Sequence, residues 1–151
     1  NVSLSLFNSF DSSLSSSSSS EYSTSDSKVK SKALRIVTLN FQSIFNKKDE
    51  LSNFLTDNNI DIILGSETHL SPSINNSEFL PDTYTAYRYD RYDGYGGAII
   101  ISKKSLITEE IKNENNCEMV AVKVQSFFKP VILISCYRAP KKIHLIHCSM
   151  K

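Results

Sequence analysis

The sequence predicts a mixed α/β domain behind a serine-rich leader, on three observations. Two short apolar runs, residues 34–39 and 60–64, flank a stretch whose apolar residues recur at helical spacing. Further strand-like runs follow with no second helical pattern between them. The first 32 residues are dominated by serine, with Leu and Phe too sparse to bury, so they cannot offset their ordering entropy. The expected division is a disordered segment over residues 1–32, a folded part over residues 33–140 and a tail over residues 141–151.

The leader includes an unbroken run from Ser15 to Ser20 and lacks the basic start and continuous apolar stretch of a secretory signal. The chain starts at Asn1 rather than Met, which leads us to expect a fragment or a processed product. Removing the leader from 151 residues leaves about 120, enough for one domain with a modest core. A hydrophobic content of 40% with 22% charged residues is that of a soluble globular chain. No apolar run approaches the length of a membrane span, so no membrane partner is expected and the location expected is nucleus or cytoplasm. A net charge of +1 supplies no global pull toward nucleic acid, and attraction has to come from local clusters such as Arg88 with Arg91 or Lys103 with Lys104. Cys117, Cys136 and Cys148 form no C-x-x-C pair and are expected as reduced thiols.

The first strand is expected where Leu34, Ile36, Val37 and Leu39 cluster, stopping at Asn40. A helix follows over residues 47–57, where Leu51, Phe54 and Leu55 share a face; Asn46 is its expected N-cap, and Asp49 and Glu50 sit in the first turn, where the dipole favours acids. A second strand over residues 60–64 ends at Gly65, and Ser66, Glu67, Thr68 and His69 come next. Strand, helix, strand implies parallel pairing through a right-handed crossover, which brings the two carboxyl ends together at one sheet edge. Asn40 and Glu67 are therefore expected as neighbours, at the edge where open α/β sheets bind ligands. An amide oxygen beside a carboxylate suits a hard cation such as Mg²⁺, although polar residues also follow strands simply because loops are polar.

Residues 71–81 read as a loop rich in turn formers, including Pro72, Asn75, Asn76 and Pro81. Residues 84–104 read as a hairpin, with the turn at Asp93, Gly94, Tyr95, Gly96 and Gly97. These glycines do not form a phosphate loop, since no helix pattern and no Lys-Ser/Thr pair follows. The tyrosines and arginines here are of the types that stack on bases and meet phosphates, and equally of the types that decorate a half-exposed strand. Residues 107–111 read as a short strand or loop. In residues 119–125, Val120, Val122 and Val124 alternate with Ala121 and Lys123, and residues 131–136 are apolar apart from Ser135, as in a strand covered on both faces. These consecutive strands suggest a meander after the parallel unit.

Four segments in order, LNFQSIFNKKDEL, IDIILGSETHL, YRYDRYDGYGGAIIISK and VILISCYRAP, resemble the endonuclease/exonuclease/phosphatase superfamily. The particular resemblance is to the apurinic-type endonuclease domain of non-LTR (LINE-like) retrotransposons, over residues 33–140 and over the N-terminal half of that domain only. It implies a four-layer α/β sandwich, two β-sheets flanked by helices, of which this chain holds half. It also implies Mg²⁺-dependent phosphodiester hydrolysis on DNA, with Mn²⁺ as a substitute ion and no small-molecule cofactor. By the resemblance, Asn40 and Glu67 hold or orient the metal, Tyr137 positions the phosphate or the attacking water, and Arg91 is a scaffold or phosphate-facing residue. Arg138 is a further phosphate candidate, by its charge, or a solvated rim residue.

Nothing after Pro140 matches the family's Asp-x-Asn or Ser-Asp-His segments. The tail KKIHLIHCSMK offers His144, His147 and Cys148, three zinc-type donors without a fourth, a weak pattern. Two functions therefore stand side by side: a Mg²⁺-dependent endonuclease half-domain, and a chain of that descent that is inert or only binds. A phosphatase or phosphodiesterase of the same superfamily is a third. Half of such a sandwich is expected to leave apolar sheet surface exposed.

Overall fold

The structure is a computed structural model and describes residues 33–113, 117–126 and 129–138. The expected disordered leader and the histidine-bearing tail lie outside the described residues. Along the chain come β1 (Ile36–Asn40), a 3₁₀ turn (Phe45–Lys47), α1 (Lys48–Asp57), β2 (Ile62–Ser66), a second 3₁₀ turn (Asn76–Glu78), β3 (Tyr84–Tyr89), β4 (Ala98–Lys103), β5 (Thr108–Ile111), β6 (Met119–Val124) and β7 (Val131–Cys136). They form a four-stranded sheet in the order β1-β2-β4-β3 and a three-stranded sheet in the order β5-β6-β7. β1 and β2 pair in parallel across the α1 crossover, with Ile36 opposite Ile62 and Asn40 opposite Ser66. Every other pairing is antiparallel.

The first sheet is buried on both faces, and the alternation of its side chains explains how. Val37, Ile63, Ile99 and Ile101 join Leu51 and Leu55 of α1 in one core. Ile62, Ala98 and Ile100 join Val120, Val122 and Val124 of the second sheet in the other. β4 lies in the middle of this arrangement, and Ala98, Ile99, Ile100 and Ile101 have no exposed surface. Each such isoleucine contributes about 1.5–3 kcal/mol on burial. The architecture is a partial α/β sandwich, and the meander expected after the parallel unit is the second sheet.

Three local expectations are corrected. Asn46 does not cap α1: the 3₁₀ turn runs straight into the helix, Lys47 takes the N-cap position without a side-chain bond, and the Asn46 amide donates to Ser43 Oγ. The apolar run at residues 60–64 enters the sheet only at Ile62, because the Ile60 N–H donates to Leu55 O and the Asp61 and Ile62 N–H groups both donate to Arg35 O. β7 is covered on one face rather than two. Ser135 and Leu133 face the core, whereas Ile132 and Ile134 are 59% and 52% exposed on the outer face of the second sheet. Exposed apolar sheet is what half a sandwich was expected to leave. Cys117 and Cys136 are both free and exposed, and Cys148 lies outside the described residues. Among the described residues no helix is long and apolar enough to cross a membrane.

At the end of the first sheet opposite the carboxyl ends of β1 and β2, a polar cluster ties the crossover to the hairpin. Asp61 accepts from Lys103 Nζ at 2.8 Å and from the Arg35 N–H at 2.9 Å. The buried Tyr84 hydroxyl donates to Ile60 O at 2.7 Å. Burial pushes the Tyr84 phenol above its ordinary value, and the Asp61 carboxylate pushes it the same way. A raised folded-state value means that the contribution of Tyr84 to stability is complete below the unfolded phenol's pKa of about 10 and is lost as pH rises through the folded value. Tyr84→Phe is expected to cost roughly 1 kcal/mol at neutral pH and to flatten the fall in stability above about pH 10, as read by urea unfolding across that range.

Candidate functional site

Three loops meet at the carboxyl ends of β1 and β2, and all three carry left-handed backbone. The loop after β1 has φ of 47° at Gln42 and 81° at Ser43; the loop after β2 has 53° at both Glu67 and His69; the β3–β4 turn has 70°, 79° and 88° at Gly94, Gly96 and Gly97. For residues other than glycine each such conformation costs roughly 1–3 kcal/mol, and such residues cluster where chains do chemistry. Hydrogen bonds hold them in place. Ser43 and Ile44 N–H groups donate to the carbonyls of Glu67 and Thr68, while Glu67 and His69 N–H groups donate to Gly97 and Gly96. Thr68 points inward, fully buried, against Gly97, where a Cβ would strike its hydroxyl.

Asn40 ends β1 and is exposed; its Cα pairs with Ser66, one residue before the half-buried Glu67. Tyr137 follows β7 and reaches the same edge. Its N–H donates to Glu118 O, and its ring lies over Gly96, so closely that a Cβ there would overlap it. The Ser135 hydroxyl, buried, donates to Gly65 O at 2.7 Å and fastens β7 to β2 just below. The structure thus brings Asn40, Glu67 and Tyr137 to one edge. Their side-chain polar atoms make no hydrogen bond or ion pair among the described residues.

Arg91 is brought to the rim in a different state. It pairs with Asp93 at 2.8 Å and with Glu118 at 3.3 Å, so its guanidinium ties the β3–β4 turn to the start of β6. Asp93 is held below the usual carboxylate range by the Tyr95 N–H first, with Arg91 adding to it. Arg138 is exposed beyond Tyr137. The expected basic clusters do not form free patches: Arg88 is clamped by Asp90, Asn76 and the Ile74 carbonyl, and Lys103 by Asp61 and Asn59. The bond of Ser135 to Gly65, the pairing of Glu118 with Arg91 and that of His69 with Tyr95 are not legible in the sequence. His69 stood in plain view in SETHL, but its ring partner lies in a different loop, and no local pattern joins them.

Among the described residues no group of three or more His, Cys, Asp or Glu is gathered to hold a metal. While the carboxylates of Asp93 and Glu118 are paired with Arg91, Glu67 and Asn40 at this edge offer a carboxylate and an amide oxygen that other side chains leave free. That suits Mg²⁺, which keeps several waters and takes other oxygens from phosphate; it does not suit zinc or a caged Ca²⁺.

Among solved structures the chain is similar to the endonuclease domain of TRAS1, a telomere-specific non-LTR retrotransposon, with a TM-score of 0.54 and 18% identity over 72% of this chain. The match takes in 48% of that domain, so the chain spans about half its length. A 3′ phosphatase from Neisseria, bound to a product DNA hairpin, aligns with a TM-score of 0.46 and 18% identity, over 66% of this chain and 40% of that one. No family model and no curated protein matches the chain. At such identity the likeness establishes the fold alone, a partial α/β sandwich.

Gly96→Ala is expected to destabilise the protein by roughly 1–3 kcal/mol, from left-handed strain at φ 79° and collision with Tyr137, as measured by thermal unfolding. A neutral result would mean that Tyr137 does not rest on the turn.

Proposed function

We propose that this chain carries the N-terminal half of a phosphodiester-hydrolysing site for DNA, in which Glu67 and Asn40 hold Mg²⁺ or Mn²⁺ and Tyr137 donates a hydrogen bond to the phosphate. The observation that carries the reading is the set of three side chains, a carboxylate, an amide and a phenol, left without internal partners where three strand ends meet. Burial and pairing account for the neighbouring Thr68, Arg91 and Ser135, whereas the side chains of Asn40, Glu67 and Tyr137 make no hydrogen bond or ion pair among the described residues. The sandwich shared with an endonuclease domain and the four sequence segments support the same reading.

Bound Mg²⁺ would neutralise charge on the phosphate and on the leaving oxygen. Glu67 supplies the anionic anchor, fixed by its own backbone bond to Gly97. Asn40 supplies an uncharged oxygen from the neighbouring strand, and Tyr137 orients a phosphate oxygen from the end of β7. Arg91, already shared between two carboxylates, acts as scaffold. Arg138, exposed beyond Tyr137, is the further cation proposed for a phosphate at the rim.

A second reading, binding without turnover, is favoured by one specific observation. Among the described residues His69, two positions from Glu67, makes no hydrogen bond or ion pair with an acidic side chain that would prepare it to take a proton from an attacking water. The test is nicking of supercoiled plasmid by the purified chain in Mg²⁺ or Mn²⁺, with EDTA and Glu67→Ala in parallel, alongside calorimetric titration of Mg²⁺. Glu67→Ala is expected to weaken Mg²⁺ binding on the order of 10-fold or more. Metal-dependent nicking that Glu67→Ala abolishes would make the chain a complete nuclease and end the binding-only reading. Mg²⁺ binding unchanged in Glu67→Ala would sink the metal assignment itself.

A further inference from the structure

We propose that the rings of His69 and Tyr95 form a stacking subsite for an unpaired nucleobase of the DNA strand whose phosphate sits at Glu67. The inference rests on the function proposed above and adds to it the form of DNA recognised.

Tyr95 is 70% exposed in the β3–β4 turn, flanked by Gly94, Gly96 and Gly97, which have no side chains to cover it. Its ring meets that of His69 edge-on, with centroids 5.9 Å apart and planes at 67°. In an edge-to-face pair one ring offers its rim to the face of the other, so ring surface remains open to a third partner. Packing does not explain the position, since a tyrosine with most of its surface in water contributes little to a core. The same turn supplies a contrast in Tyr92, which is 97% exposed and meets no other ring among the described residues.

The backbone that carries the pair is bonded on both sides. The His69 N–H donates to Gly96 O at 3.0 Å, and the Tyr95 N–H donates to Asp93 Oδ1 at 3.2 Å, which Arg91 in turn holds through the other carboxylate oxygen. A left-handed histidine is kept at φ 53° by this bonding. Aromatics fixed before binding lose little freedom on contact, which is what makes a stacking platform effective. His69 is two residues from Glu67, with Thr68 turned inward between them, so platform and carboxylate belong to one short loop. A base that stacks on this platform has to leave the duplex, because inside a duplex both of its faces are covered by neighbouring bases. Every base has an aromatic face, so the subsite is indifferent to sequence and selective for unpaired bases.

The test uses the full chain and fluorescence anisotropy with three labelled DNAs, namely a single strand, a paired duplex and the same duplex with one unpaired base. Tyr95→Ala is expected to weaken binding of the single strand and the bulged duplex on the order of 10-fold, and to leave the paired duplex and the Mg²⁺ titration unchanged. Tyr95→Phe should restore binding, because the ring rather than the hydroxyl is used, and Tyr92→Ala should have no effect. If the wild type binds DNA and Tyr95→Ala binds all three DNAs equally well, the stacking subsite is wrong and the phosphate reading survives. An equal loss on all three DNAs also overturns it. No binding of any DNA by the wild type overturns both readings.

Discussion

The carboxyl-terminal edge of the first sheet depends on one constraint, the close approach of the Gly96–Gly97 backbone to the loop after β2. Two hydrogen bonds, from Glu67 to Gly97 and from His69 to Gly96, run between main chains near enough that Thr68 fills the space a side chain on Gly97 would need. Glycine is required twice over, for its left-handed φ and for the missing Cβ. From that contact the rest follows. Glu67 is turned outward at the strand end, Tyr137 finds a flat bed on Gly96, and the β3–β4 turn is fixed so that Arg91 meets Glu118. Loosening this contact would release residues from three loops at once.

The two sheets are joined by apolar packing in the middle and by polar bonds at the edges. Val120, Val122 and Val124 supply the first, against Ile62, Ala98 and Ile100. Ser135 to Gly65, Tyr87 to Thr108 and Arg91 to Glu118 supply the second, each linking the first sheet or its turn to an element of the second sheet. Apolar packing is tolerant of sliding; a directional bond between a hydroxyl and a particular carbonyl is not. These bonds therefore set the register in which β7 delivers Tyr137. Elsewhere, ion pairs of Arg88 with Asp90 and of Lys103 with Asp61 tie up cations that stand close to other basic residues in the sequence.

Much of this was legible in the sequence because it rested on local pattern. The alternation in β6, the apolar block of β4 and the i, i+3, i+4 spacing in α1 are each produced by one element meeting one core, and each can be read without knowing its partner. The parallel β1–β2 pair was legible through a topological rule, and with it the adjacency of Asn40 and the Glu67 loop. The start of α1 was not, because a 3₁₀ turn substituted for a side-chain cap and left Asn46 with nothing to do there. β7 misled for another reason. Its composition is that of a strand buried on both faces, but burial depends on what the rest of the fold supplies, and Ile132 and Ile134 meet no covering layer among the described residues. The ring pair and the Ser135 bond join distant loops or strands through shape alone, and nothing in a linear pattern reports that.

The outer strand of the second sheet carries a consequence for how the molecule behaves among its own copies. β7 has β6 on one side and no strand on the other among the described residues, and its six residues include no charge and no proline. Protein edges that stay solitary in crowded solution usually carry a lysine, a bulge or a proline to spoil further pairing. Here the nearest lysine, Lys129, and the nearest proline, Pro130, stand before the strand rather than within it. Among the described residues this edge is thus open to pairing with a further strand, from this chain or from a second copy.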